Sequence, residues 1–274
     1  MTLAVLAMIT MTVAAQPPNA DPPDAQVHRD LVYGQGSGQD LKLDLYLPKN
    51  AQGPLPLIVW VHGGGWRQGN KSQSQALWLL PKGYAVASVG YRLSGVATFP
   101  AQIDDCRAAV AWLRANASQY GLNANRIGAW GPSAGGHLVA LLGVMDNVQA
   151  VVDFYGPTDL LKMSAFPSKI DHDSPQSPES LLIGGPIQEN KEKTQKANPI
   201  RYISKQTAPF LIVHGDKDMT VPLNQSELLH AALQKAGIES RFKTLEGAGH
   251  GGPQFSSPEV RDMIEKFFHR HLKR

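Results

Sequence analysis

The pentapeptide Gly131-Pro132-Ser133-Ala134-Gly135 stands between a short apolar run at residues 126–130 and a helix-spaced apolar run at 134–144, and this placement constrains the fold more than any other feature of the sequence. The flanking glycines leave room for a sharp turn between a strand and a helix. Such a turn lifts the serine hydroxyl above the end of a sheet and aims the first N–H groups of the helix at the same point, as the G-x-S-x-G pattern of a nucleophilic serine requires. Alone, the five residues are a weak signal, because small residues of this kind are common in ordinary turns. Their position at a strand-to-helix junction carries the reading.

The sheet that such a junction needs is legible in the other apolar runs. Residues 57–61 form an unbroken apolar stretch ending in a glycine loop, the pattern of a strand buried on both faces. Further strands are expected at 84–89, 126–130, 150–155, 209–214 and 241–245, with helices at 101–117, 134–144, 224–236 and 258–272. In the first of these helices Ile103, Ala109, Val110 and Leu113 recur at helical spacing. Strands separated by helices predict an α/β fold with a mostly parallel, doubly wound sheet and flanking helices. Ahead of it, alternating segments at 27–33 and 41–47, joined by Gly34-Gln35-Gly36-Ser37-Gly38, predict an antiparallel hairpin. The rhythm breaks at 160–207, a stretch rich in Pro, Ser and charge. Insertions of this length are often functional, so it is a candidate cap or substrate-facing loop, the alternative being a solvated excursion.

With 274 residues the chain can bury one substantial core, and a single catalytic domain over 26–274 is expected. The 26 basic and 23 acidic side chains leave a net charge of only +3, and no run of Lys or Arg crosses the body, which argues against a nucleic-acid partner. The basic residues from 269 to 274 end the last expected helix, where cations face the helix C-terminus favourably. A lone cysteine, Cys106, excludes an internal disulfide and a cysteine-based zinc cage, and no H-E-x-x-H pair points to a metallohydrolase. Residues 1–15 are apolar, uncharged and too short to span a bilayer, and end in Val13-Ala14-Ala15 before a Pro-rich leader that runs to residue 25. They resemble a signal peptide that lacks its positively charged start. A secreted or periplasmic protein without a membrane span is expected, with a cytoplasmic one the alternative.

Three further motifs follow strand ends. His62-Gly63-Gly64-Gly65-Trp66 can point N–H groups at a developing oxyanion, with Gly64, Gly65 and the N–H of Ala134 the expected donors. A phosphate loop of the Walker type would need G-K-[ST], which is absent here. His62 itself reads as structural. His214-Gly215-Asp216-Lys217-Asp218 offers two carboxylates that spacing alone does not separate, although Asp216 could be occupied in capping loop amides. Glu246-Gly247-Ala248-Gly249-His250-Gly251-Gly252 places a histidine in a glycine-rich loop, and the order Ser, acid, His makes His250 the expected base. Of the other histidines, His28, His172, His230, His269 and His271 lie in polar stretches expected to be exposed, while His137 and His214 read as structural.

Together these motifs resemble the esterase and lipase group of α/β-hydrolases, which includes hormone-sensitive-lipase-like enzymes and bacterial feruloyl or acetylxylan esterases. Besides the motifs above, Tyr91-Arg92-Leu93, Phe99-Pro100 leading to Asp104, and Tyr155-Gly156-Pro157 follow the family's order. The resemblance implies that the second aspartate of the H-G-D-x-D loop, Asp218, is the triad acid. It also implies a carboxylesterase that works without a cofactor, through an acyl-enzyme on Ser133, on short-chain acyl esters or acetyl and feruloyl esters linked to plant polysaccharides. A hairpin leading almost directly to the first motif, in place of an N-terminal helical cap, favours the polysaccharide-esterase branch and leaves 160–207 to shape the pocket. Trp66 and Tyr155 are expected to line it, by stacking on substrate or by ordinary packing. The rival readings are a prolyl-oligopeptidase-like serine peptidase, whose large peptide-selecting domain has no counterpart here, and a non-catalytic binding module, which should have lost a triad residue.

Overall fold

The computed structural model describes residues 20–146 and 148–273, so the signal-peptide reading of residues 1–15 lies outside the described residues. Eight strands form one sheet in the order β1-β2-β4-β3-β5-β6-β7-β8. The hairpin of β1 (Ala25–Gly36) and β2 (Gln39–Pro48) turns at Ser37-Gly38 and extends the sheet by antiparallel pairing of β2 with β4 (Ala85–Val89). Its strands absorb most of the glycine-rich stretch expected to be the turn. The remaining pairs are parallel and join β4 to β3 (Leu55–Val61), then β5 (Leu122–Pro132), β6 (Ala150–Phe154), β7 (Phe210–Gly215) and β8 (Ser240–Leu245). This is the doubly wound α/β-hydrolase arrangement.

Period-two alternation divides the apolar strand residues between two cores. In β3, Leu57, Val59 and Val61 face one core, while Ile58 and Trp60 face the other. Helices α1 (Ala101–Ala115), α2 (Ala134–Met145) and, further along the chain, α5 (Asn224–Lys235) supply the first core. Helix α6 (Pro258–Leu272) and a 3₁₀ turn at Leu77–Lys82 cover the second. Among the described residues no helix is long and apolar enough to cross a membrane.

The connection at 160–207 is packed. It contains 3₁₀ turns at Leu160–Ala165 and Pro199–Tyr202 and the short helices α3 (Pro178–Ile183) and α4 (Lys191–Lys196). Leu160, Met163, Leu182, Ile183, Ile187 and Ala197 join the first core, which rules out the solvated excursion. Helix α3 starts cleanly because the Ser177 hydroxyl accepts from Ser180 N at 3.0 Å and Pro178 stands where no N–H is needed. His172, expected to be exposed because its sequence neighbours are polar, is fully buried. The segment folds back on itself, so local polarity misleads there.

The strand order reverses between β3 and β5, since the chain leaves β3 for β4 on one side and leaves β5 for β6 on the other. Loops beyond the carboxyl ends of two such strands diverge and leave a crevice. The glycine loop follows β3 and Ser133 follows β5, so both open into that crevice.

One buried carboxylate in this region makes a test of the fold. Asp153 on β6 pairs across the sheet with Gly131, is 1% exposed, and accepts a hydrogen bond from Gly156 N at 2.9 Å. Burial pushes its carboxyl up to about 7, against the backbone hydrogen bond from Gly156. A raised carboxyl binds its proton more tightly folded than unfolded. Its contribution is therefore complete below about pH 4 and is lost as pH rises through about 7, a change on the order of 4 kcal/mol. Asp153→Asn removes that dependence, so the stability of the variant relative to wild type should rise by several kcal/mol between pH 4.5 and pH 8 in urea unfolding. An equal offset at both pH values would mean that Asp153 is not the titrating group.

Candidate active site

Ser133 sits at the junction of β5 and α2 with φ 55° and ψ −123°, a conformation that L residues rarely adopt. Two glycines make the turn possible. A side chain at Gly135 would place its Cβ 2.1 Å from Val61 O, so only glycine lets α2 come this close to the end of β3. Trp66 (φ 56°) and Tyr155 (φ 43°) are also left-handed, and all three residues border one pocket. Each such residue costs roughly 1–3 kcal/mol, and strain of this kind concentrates at functional sites.

The structure brings Ser133, His250 and Asp218 into one hydrogen-bonded line. His250 Nε2 lies 3.0 Å from Ser133 Oγ, and His250 Nδ1 lies 2.7 Å from Asp218 Oδ2. With a carboxylate on Nδ1, that nitrogen carries the proton and Nε2 is free to accept from the serine hydroxyl. The acid is held on every side. Asp218 Oδ1 accepts from Thr220 N at 2.8 Å and Val221 N at 2.9 Å, and Oδ2 also lies 3.2 Å from Nε2 of the fully buried His214. Burial opposes its ionisation, but hydrogen bonds from His214, His250 and the Thr220 amide outweigh burial and hold the Asp218 carboxyl well below the usual carboxylate range. His214 in turn is fixed by Ser226 Oγ at 2.7 Å and Val221 O at 2.9 Å.

Asp216, the other carboxylate that spacing left open, does not meet the histidine. It accepts from Gly247 N at 2.7 Å and so ties its own loop to the one carrying His250. This is the amide-capping role open to it from sequence, exercised on the neighbouring loop. His62 is buried, its Nδ1 sits 2.8 Å from Gly63 O, and its ring stacks on Tyr91 at 4.3 Å. Burial pulls it down to about 4, which leaves it neutral and holding the loop.

Gly64 and Gly65 have φ of 108° and 58°, and the loop is closed by Arg67 N and Gln68 N, both donating to Gly64 O. Neither Gly64 N–H nor Gly65 N–H donates a hydrogen bond among the described residues. Ala134 opens α2, where an N–H has no intrahelical acceptor. The three expected oxyanion donors thus border the pocket that holds Ser133, which has a volume of about 570 Å³.

Trp66 and Tyr155 both border the pocket, but neither presents an open ring face. The Trp66 indole is 1% exposed and donates to His137 Nδ1 at 3.2 Å, while His137 Nε2 lies 2.6 Å from Ala197 O. Through His137 the glycine loop, α2 and the 160–207 segment are tied together. Tyr155 is 7% exposed and packs 4.7 Å from the His250 ring and 4.7 Å from Phe255, where it holds the imidazole in place. Thr220 and Val221 from the acid loop, and Ile170, Pro178 and Glu179 from the 160–207 segment, also line the pocket, and sequence reasoning missed all five. Ile170, Pro178 and Glu179 lie in a stretch without a periodic or motif signal, and Thr220 and Val221 merely follow the H-G-D-x-D residues.

Comparison with known proteins agrees with this architecture. A family model described as BD-FAE matches residues 43–233. Esterase LipC of Mycobacterium tuberculosis is 31% identical over 82% of this chain and 60% of its own length. The chain spans between 49% and 60% of the length of the three Mycobacterium tuberculosis relatives. Among solved structures, a truncated form of a carbohydrate esterase from gut microbiota superposes with a TM-score of 0.84 at 30% identity, covering 94% of this chain and 100% of that one. A thermophilic esterase from Thermogutta terrifontis superposes with a TM-score of 0.73 at 25% identity, covering 90% and 92%. With most of its residues inside the family model, the chain belongs to the BD-FAE family of α/β-hydrolase esterases.

Proposed function

We propose that this chain is a serine carboxylic-ester hydrolase, acting through an acyl-enzyme on short-chain acyl esters or on acetyl and feruloyl esters linked to plant polysaccharides. The observation that carries the reading is the unbroken line from Asp218 Oδ2 through His250 to Ser133 Oγ at 2.7 and 3.0 Å. In the proposed cycle Ser133 Oγ attacks the ester carbonyl carbon as its proton passes to His250 Nε2. The N–H groups of Gly64, Gly65 and Ala134 receive the charge that develops on the carbonyl oxygen, and Asp218 stabilises the imidazolium. Collapse breaks the bond to the alkoxide, which leaves with the proton from His250. Water then loses a proton to the same nitrogen and attacks the acyl-enzyme, releasing the carboxylic acid and restoring Ser133.

Two relatives bear on the substrate class: one is named an esterase and the other a carbohydrate esterase. Fluorophosphonate labelling tests the mechanism. The phosphonyl group should appear on the peptide containing Ser133 and on no other, and it should be absent from Ser133→Ala. Absence of label in the folded wild type would overturn the serine mechanism and bring the binding-module reading forward.

A further inference from the structure

His137 stands one turn into α2 from Ser133, and the proposed reaction gives it no part. Its backbone N–H donates to Ser133 O at 3.0 Å, so its ring is held in register with the serine. The ring is fully buried, where both nitrogens need partners. His137 Nε2 lies 2.6 Å from Ala197 O, which can only accept, so Nε2 carries the proton. Nδ1 is thereby left bare and accepts from the Trp66 indole N–H at 3.2 Å. Burial pulls the imidazole down to about 4, against the hydrogen bond to Ala197, and keeps it uncharged. An imidazolium carries protons on both nitrogens and has nothing with which to accept from Trp66.

What this bond holds is a strained backbone. Trp66 directly follows Gly64 and Gly65, and its φ of 56° persists only if the surroundings impose it. Trp66 O accepts from Ser94 N at 2.8 Å, the indole packs in the first core, and its N–H ends on His137. The last of these contacts ties the glycine loop to the helix that follows Ser133. The spacing between Ser133 and the N–H groups of Gly64 and Gly65 is therefore set in part through this ring. Support of this kind keeps functional groups in a productive geometry.

We infer that His137 is a positioning residue for the oxyanion cradle, its Nδ1 holding Trp66 so that Gly64 and Gly65 keep their N–H groups at a fixed distance from Ser133. The inference rests on the serine-esterase reading and deepens it. His137 does not border the pocket, so its effect has to pass through Trp66, which does. A misplacement of about 1 Å transmitted in this way can cost on the order of 100-fold in rate.

Two variants separate the nitrogens. In His137→Asn the side-chain oxygen takes the place of Nδ1 and can still accept from Trp66, while the contact to Ala197 is lost. In His137→Gln the NH₂ group takes the place of Nε2 and can still donate to Ala197 O, while Trp66 loses its acceptor. Each leaves one buried group unpaired, so the two should melt within a few degrees of each other. On p-nitrophenyl acetate, His137→Gln should lower kcat by about 10- to 100-fold, with KM within about threefold of wild type. The apparent pKa of its kcat/KM profile should not move, because His250 is untouched. His137→Asn should keep kcat within about threefold of wild type. Trp66→Phe, which removes the indole N–H from the other side, should reproduce the loss, and adding His137→Gln to it should lower kcat no further. If His137→Gln does not fold, Trp66→Phe decides, and a wild-type kcat there overturns the inference. Equal losses in His137→Asn and His137→Gln would mark a purely structural residue and overturn it too, as would a folded His137→Gln at the wild-type rate. Wild-type hydrolysis that persisted in Ser133→Ala would remove the esterase reading and this inference with it. Ser133-dependent hydrolysis that is indifferent to His137→Gln removes only the inference.

Discussion

Ser133→Ala is expected to lower kcat on p-nitrophenyl acetate by about 10⁵- to 10⁶-fold, the loss seen when a nucleophile is removed from a triad that acts as a unit. A residual rate is expected from the N–H groups of Gly64, Gly65 and Ala134 and from binding, which do not need the hydroxyl. The fold should survive. The Ser133 side chain makes one hydrogen bond, to His250, and alanine occupies the same backbone conformation, so a thermal melt should move by no more than a few degrees. The comparison needs p-nitrophenyl acetate, butyrate and octanoate and methyl ferulate, each with the variant as blank, because activated acetates hydrolyse slowly on many protein surfaces. Equal rates for wild type and variant on all four esters would remove Ser133 from the mechanism.

Asp218→Asn is expected to lower kcat by about 10³- to 10⁴-fold with little change in structure. The reason lies in the donors around the carboxylate. Oδ1 takes two backbone N–H groups, from Thr220 and Val221, while Oδ2 faces His250 and His214. An asparagine must turn its amide oxygen toward the two N–H groups, so its NH₂ meets His250 Nδ1. That nitrogen then has to accept, its proton moves to Nε2, and the ring presents a donor to Ser133 where a base is needed. Asp216→Asn serves as the contrast. Its contact to Gly247 N survives in an amide, and kcat should stay within about threefold of wild type. A larger loss for Asp216→Asn than for Asp218→Asn would reverse the assignment. Measuring kcat for both across pH 6 to 9 separates a displaced base from a damaged fold, since only the former changes the profile.

Much of the fold was legible because it depends on local signals. Apolar runs bounded by glycine marked β3, β5, β6 and β7 within a few residues, since strands buried on both faces cannot be polar. Helices α1, α2, α5 and α6 announced themselves through spacing. Ser133, Gly64, Gly65 and His250 stood out as candidates for a related reason, because each lies in a turn whose backbone demands small residues, and those residues leave a pattern in one dimension. The choice between Asp216 and Asp218 was not readable from spacing. Both follow the same strand, and only the direction in which each side chain leaves the loop decides which of them meets the imidazole.

The sequence by itself determined the doubly wound sheet, the strand-to-helix turn that raises Ser133 and the loops beyond strand ends that can supply an acid, a base and an oxyanion cradle, because these follow from periodicity and from the sterics of glycine. Tertiary structure alone decided which residues of 160–207 contribute to the pocket, that His172 is buried against Glu179, and that the Trp66 indole turns in to His137. Those outcomes depend on packing between segments far apart in the chain, where the burial of a polar group is set by what covers it and leaves no trace in its neighbours.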